Sequence, residues 1–370
     1  MSTSRLSKGR SYLQHFHIDL PLLFALLILA GVGLMALYSA SEQNIDIVLR
    51  QVMRLVIAFS VMIAVAQLRP ETIQHWSPWL YAVAIILLFA VLVLGVIGKG
   101  AQRWLNFGLF TFQPSELMKL ALPMLIAWYF SDHSIPPRPL RIMLALVMIV
   151  VPTLLVAKQP DLGTALVLAT SGFLVLFLAG LRWRTIIIAF ILLIPISWLF
   201  WQYGMHDYQR NRVLTFLNPE IDPLGAGYHI IQSTIAIGSG GMYGKGWLNG
   251  TQSHLDFLPE RKTDFIFPVF SEEFGFIGSL LLLALYAVIV IRGLMITLQA
   301  QDTYTRLLAG TITLTFLIYV FINIGMVSGI LPVVGIPLPL VSYGGTSMVT
   351  LLTGFGILMS IQTHRKLIST

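Results

Sequence analysis

Ten stretches of this chain are apolar for long enough to cross a bilayer, and that pattern decides what it can fold into. A hydrocarbon core about 30 Å thick takes about 20 residues of helix. Leu20–Ala40 is the first such run, and the others cover roughly 48–68, 79–98, 115–131, 140–157, 161–180, 184–203, 266–291, 306–329 and 342–362. In lipid every backbone polar group needs an internal partner, so only helices and closed barrels span it. Barrel strands alternate apolar and polar residues, whereas these runs are continuously apolar. The expected fold class is an all-α polytopic membrane protein of about ten transmembrane helices, a single integral membrane domain over 1–370. Only 11% of the residues are charged, against about 25% in a soluble domain.

The first run follows Arg5, Lys8 and Arg10, as a signal peptide would, but it is longer than an h-region, and Tyr38 sits where a small residue belongs. It reads as a retained helix. Loop charges set the orientation. With the N-terminus inside, 12 of the 23 basic residues fall on the inner side. The positive-inside rule applies to short loops, and leaving out the long 204–265 segment gives 12 inside against 6 outside. Both termini are therefore expected in the cytoplasm, with 204–265 as a large outer loop. Inner-face Arg and Lys beside anionic lipid account for the net charge of +7, so no nucleic acid is implied. There is no cysteine, which removes disulfides and thiolate chemistry, and the eight histidines form no H-E-x-x-H spacing.

Polar residues concentrate on the expected outer face. Ser115 and Asp161 each follow a proline and suit helix N-caps. Glu116 and Lys119, three apart, share a helical face at the membrane boundary, as a structural ion pair or a cavity-lining one. Residues 228–237 are apolar at helical spacing and predict a short interfacial helix. The glycine-rich stretch 238–246 fails the phosphate-loop pattern, because Ser239 and Gly246 stand at its first Gly and its Ser/Thr position; a flexible turn against headgroups is expected. Asp264 abuts the eighth apolar run, either as a functional acid or as a helix cap, while Asp256 and Glu260 look solvated. Glu272 and Glu273 lie two turns deeper and, about 100° apart, cannot share one narrow cavity. Prolines and glycines break the chain over 331–345, which at membrane depth is tolerated only beside protein or a cavity. Lys99, Arg103, Lys119, Arg210, Arg212 and Lys245, with these carboxylates, suit an anionic lipid-borne substrate.

Eight ordered segments carry a resemblance: KGAQRW (99–104), QPSE (113–116) with Lys119, QPDLGT (159–164), DPLGAGYHIIQS (222–233), AIGSGG (236–241), GKGWLNGTQS (244–253), LPER-TDFIF (258–267) and NIGMVSGILPVVGIPLPLVSYGG (323–345). Together they resemble the SEDS family (shape, elongation, division and sporulation), above all its rod-elongation members. The resemblance implies the SEDS-type fold and a peptidoglycan glycosyltransferase that polymerises lipid II at the outer face of the bacterial inner membrane. It also implies work beside a class B penicillin-binding protein and other elongation-complex proteins (MreC, MreD, MreB). By motif, Asp264 is the catalytic residue, and Arg103, Glu116, Lys119 and Asp161 belong to the substrate site, with Arg210 and Lys245 as further basic candidates. A divalent cation, Mg or Mn, is an alternative source of positive charge. Lys262 stands where the family pattern has His, and Pro268 is expected to bend the start of the eighth span. A lipid II flippase and a non-catalytic scaffold are the rival readings.

Overall fold

The computed structural model describes residues 17–98, 101–106, 111–205, 210, 214–215, 226–251 and 260–364. Its first helices are α1 (Leu20–Ala40), α2 (Ile45–Ala66) and α3 (Pro70–Leu94). A small sheet follows, made of β1 (Val96–Gly98), β2 (Ala101–Asn106) and β3 (Thr111–Phe112). Then come α4 (Pro114–Ser131), α5 (Pro139–Lys158), α6 (Leu162–Leu178), α7 (Trp183–Leu199) with a π-helical turn (Phe200–Gly204), α8 (Ala226–Ser239), α9 (Ile266–Gln299), α10 (Thr303–Val327) and α11 (Thr346–Thr363).

Seven of these, α1, α2, α3, α5, α9, α10 and α11, are long and apolar enough to cross a membrane. α6 and α7 have 17 residues each, and α4 carries Glu116 and Lys119 near its start. The helix starts follow local chemistry. Proline opens α3, α4 and α5, where its missing N–H costs no helical bond. Asp19 caps α1 by accepting from Leu22 N at 3.0 Å, and Asn44 caps α2 through Ile47 N at 3.2 Å. The third helix begins at Pro70, ahead of its apolar run, because an N-terminal proline and Glu71 in the first turn suit a helix start.

The helices pack as α2 along α11, α3 along α4, α5 along α6, and α9 along both α10 and α1. At one end of the bundle Arg292 of α9 grips the capping Asp19 with two hydrogen bonds, 2.5 Å and 3.1 Å. One carboxylate thus starts α1 and ties it to α9. At the opposite end lies the sheet, which the all-α expectation did not include. β1 and β2 run antiparallel, pairing Val96 with Trp104 and Gly98 with Ala101, and β2 continues to β3 through Leu105–Phe112 and Asn106–Thr111. Pairing satisfies backbone groups that the chain between α3 and α4 would otherwise leave open.

The glycine-rich stretch is not a loose turn. Lys245 N and Gly246 N donate to Glu272 O and Glu273 O, both at 3.0 Å, while Phe276 N and Ile277 N donate to Gly241 O (2.9 Å) and Met242 O (3.1 Å). These bonds bracket a kink in α9 at Gly275, which has φ +67°. A Cβ there would lie 2.3 Å from Gly244 N, so two glycines are needed for the backbones to meet. Pro268 sits unbent in the first helical turn, where it forfeits no i−4 bond. The bend falls at Gly275 instead. Glu272 receives Lys245 Nζ at 2.7 Å and Thr251 N at 2.8 Å, whereas Glu273 receives the Ser39 hydroxyl of α1. The two acids face different partners, and α8 packs across the same region with Ser233 Oγ donating to Val327 O at 2.7 Å.

Gly275→Ala is expected to destabilise the protein by at least about 2 kcal/mol, from left-handed strain and overpacking together. Gly31→Ala, at a helical site with nothing within 4 Å of the new carbon, should stay within about 1 kcal/mol of wild type. Unfolding midpoints of both variants in one detergent measure the contrast.

Candidate functional site

A cavity of about 740 Å³ opens among β2, α2, α4, α6, α10, the start of α11 and the segment 335–345. At one end stands α4. Its first residue is Pro114 and its cap position is Gln113, so Ser115 is not the N-cap that its sequence context suggests. The fixed φ of a proline places the start before the serine, and the buried Ser115 Oγ has no partner among the described residues. One turn along, Glu116 and Lys119 pair at 2.7 Å, with side chains only 6% and 12% exposed. Lys119 Nζ also lies 5.5 Å from the centre of the Tyr319 ring.

Asp161 does two jobs at the start of α6. Its Oδ1 accepts from Thr164 N at 3.2 Å, capping the helix, and its Oδ2 accepts from Gln113 Nε2 at 3.2 Å. Arg103 reaches it from β2, with Nη1 3.8 Å from Oδ1. The same guanidinium donates to the carbonyls of Gln159 (3.4 Å) and Pro160. The sheet and the α5–α6 turn therefore hold one arginine between them, with Trp104 beside it on the cavity wall.

The far wall is the non-helical stretch between α10 and α11. Gly33 and Tyr286, both well inside their helices, touch it: a Cβ on Gly33 would lie 2.4 Å from Leu340 O, and Tyr286 OH donates to Pro339 O at 2.7 Å. The segment thus dips into the middle of the bundle. Three successive carbonyls of the turn before α9 bind to it or to its neighbour Asn323. Lys262 O accepts from Tyr343 N (2.8 Å), Thr263 O from Ser342 Oγ (2.6 Å) and Asp264 O from Asn323 Nδ2 (2.9 Å). The buried Asn323 also donates to Ile336 O at 2.7 Å. Phe265, not Asp264, occupies the cap position of α9. Asp264 is half-buried, and its Oδ2 stands 3.4 Å from where a Cβ on the cavity-lining Gly335 would be.

Of the residues singled out from sequence, Arg103, Glu116, Lys119 and Asp161 line one cavity, and Asp264 borders it through Gly335. Two do not line it. Lys245 is paired with Glu272, and Arg210 donates to Gln202 O at 2.8 Å beyond α7. Lys99, Arg212 and Asp256 lie outside the described residues, and Glu260 is exposed. Arg54, Tyr319 and Tyr343 line the cavity without having been singled out. An arginine inside an apolar run was the available signal for Arg54. Among the described residues no three His, Asp or Glu side chains gather as a metal-holding group. Glu116 and Asp161, the lining carboxylates among the described residues, each face a cation.

The chain matches the FtsW, RodA and SpoVE family, described as "Cell cycle protein", over residues 14–367. It is 52% identical over 360 residues to the peptidoglycan glycosyltransferase MrdB of Escherichia coli K12, covering 97% of each chain. A solved structure described as the structural coordination of polymerization and crosslinking by a peptidoglycan synthase complex is similar with a TM-score of 0.83 at 32% identity, covering 95% of this chain and 99% of that one. The rod shape determining protein RodA of Thermus thermophilus is similar with a TM-score of 0.71 at 27% identity, covering 94% and 98%.

Neutralising one member of the buried Glu116–Lys119 pair leaves a lone charge, at a cost of about 3–5 kcal/mol. Glu116→Gln and Lys119→Met are each expected to lose stability on that scale, and the double variant to regain most of it. A double-mutant cycle of unfolding midpoints reads the coupling.

Proposed function

This chain belongs to the SEDS family of FtsW, RodA and SpoVE and is a peptidoglycan glycosyltransferase of cell elongation, and on that premise we propose that it polymerises lipid II with Asp264 as general base. The observation that carries this reading is the locked turn of residues 262–264, which sets the Asp264 carboxylate beside Gly335 at the edge of the cavity. In the proposed reaction a sugar hydroxyl attacks the anomeric carbon of a second, diphosphate-linked sugar. A general base within hydrogen-bond reach takes the hydroxyl proton as the new C–O bond forms. The bond to the diphosphate breaks, and the lipid diphosphate departs as an anion, so no acid has to protonate it. It needs positive charge, which Arg103 and Lys119 supply. Direct displacement inverts the anomeric carbon.

The protein is an inner-membrane protein of multiple apolar helices. We place ten spans in it, α1–α7 and α9–α11, with both termini in the cytoplasm and the cavity mouth, sheet and 204–265 loop on the periplasmic side. The inner excess of Arg and Lys in short loops supports that orientation. A class B penicillin-binding protein is the proposed partner, in keeping with the similar synthase complex, and the Mre proteins are further proposed neighbours.

Broken backbone inside a bundle would also serve a transporter, and chemistry separates the two readings. Purified protein with its penicillin-binding partner is expected to make long glycan strands from lipid II in micelles, without ATP, and with the partner's transpeptidase site disabled. Asp264→Asn, which keeps size and polarity, should lower the polymerisation rate at least about 100-fold while inserting normally. Strand synthesis at wild-type rate by folded Asp264→Asn removes the base assignment. No polymer in micelles, with lipid II transfer between leaflets in proteoliposomes, establishes a flippase.

A further inference from the structure

Three cations line the cavity, and they differ in what balances them. Lys119 faces Glu116, and Arg103 faces Asp161. Arg54 faces no carboxylate among the described residues. Its guanidinium lies over the Tyr343 ring, 4.6 Å from the centre, and makes one long hydrogen bond, 3.5 Å from Nη1 to Gly344 O. The Tyr343–Gly344 backbone it leans on is held independently, by Gln51 Nε2 on Ser342 O at 3.2 Å and Gly344 N on Gln51 Oε1 at 3.4 Å. The segment therefore does not need the arginine as its anchor.

Arg54 sits in the third turn of α2, a helix apolar enough to span a membrane. A guanidinium at that depth is costly unless it faces water or an anion, and a ring face with one carbonyl leaves its charge uncancelled. The start of α11, which lines the same cavity, carries the hydroxyls of Thr346, Ser347 and Thr350. At Gly345 the missing side chain leaves the guanidinium open, since a Cβ there would stand 3.9 Å from Nε. Glu116 and Asp161, the carboxylates among the described lining residues, face the other two cations, and Asp264 stands at the edge beside Gly335. A planar fork of donors in a cavity that also presents hydroxyls suits phosphate oxygens.

We propose that Arg54 forms a second anion subsite in this cavity, for the diphosphate of a polyprenyl-linked molecule. The inference deepens the polymerase reading and rests on it, because each transfer brings two lipid-linked sugars together and so two diphosphate groups into one cavity. The Arg103–Lys119 end, where each cation also faces an acid, receives one, and Arg54, whose charge no acid among the described residues balances, holds the other.

The test measures binding of undecaprenyl diphosphate to the full-length protein in nanodiscs, beside lipid II polymerisation by the same preparations. Arg54→Gln is expected to weaken probe binding about tenfold or more, the scale of a lost charge-assisted hydrogen bond. Arg54→Lys should recover part of it, keeping the charge but not the fork. Gly345→Val, which fills the space before the guanidinium and leaves Arg54 in place, should weaken binding as well. Competition by inorganic pyrophosphate supports recognition of the diphosphate itself, whereas competition by phosphatidylglycerol alone makes this a phospholipid site and overturns the proposal. Wild-type affinity in Arg54→Gln overturns it too, and if that variant fails to fold, unchanged affinity in both Arg54→Lys and Gly345→Val does so. Wild-type protein that binds the probe through Arg54 yet forms no polymer sinks the polymerase reading and spares the subsite. Protein that polymerises while Arg54→Gln binds normally sinks the subsite alone.

Discussion

Between Ser328 and Gly345 the chain gives up helical hydrogen bonding inside a bundle of apolar helices, and each backbone group there has to find another partner. Much of the remaining architecture supplies those partners. Asn323 holds Ile336 O, Tyr286 holds Pro339 O, Gln51 holds Ser342 O, and Ser342 turns its own hydroxyl to Thr263 O while accepting from Leu338 N. Because the same bonds catch the carbonyls on either side of Asp264, the cost of breaking the helix is met by interactions that also position the candidate base. The cavity exists because this segment does not fill its share of the core as a helix would.

A second economy runs through the charged groups. Asp161 caps α6, accepts from Gln113 and faces Arg103. Asp19 caps α1 and binds Arg292 of α9. Glu272 sits fully buried, yet it fastens the 238–251 stretch through Lys245 and Thr251. Each of these three acids thus fixes one element against another, which is how a membrane bundle can keep ionic groups that would be costly alone. Against that pattern Arg54 stands out, since no acid among the described residues balances it.

The kink at Gly275 links the two ends of this logic. Just before it, about 100° apart on the helix, Glu272 points to the loop and Glu273 to Ser39 of α1. The loop and the bent helix pair through four backbone hydrogen bonds. Stretches 238–246 and 271–277 are then one structural unit, although nothing in either suggests the other when read alone.

Much of the bundle was legible in the sequence. Leu20–Ala40 occupies the residues its apolar run marks, and the other long runs fall on helices with ends shifted by a few residues, or by nine at Pro70 and eight at Gln299. Hydropathy, proline at a helix start and an aspartate cap act within one turn of the chain, so local sequence determines them. The same holds for the Glu116–Lys119 pair, whose spacing of three guarantees proximity on a helix. What the tertiary structure decided are contacts between residues far apart in the chain. The sheet of β1, β2 and β3, the bend at Gly275 rather than Pro268, the capture of Lys245 by Glu272 and the placing of Arg54 against Tyr343 all depend on which segments become neighbours. A charge or a glycine looks the same in sequence whether it meets solvent, a carboxylate or an open cavity, and only the packed bundle distinguishes them.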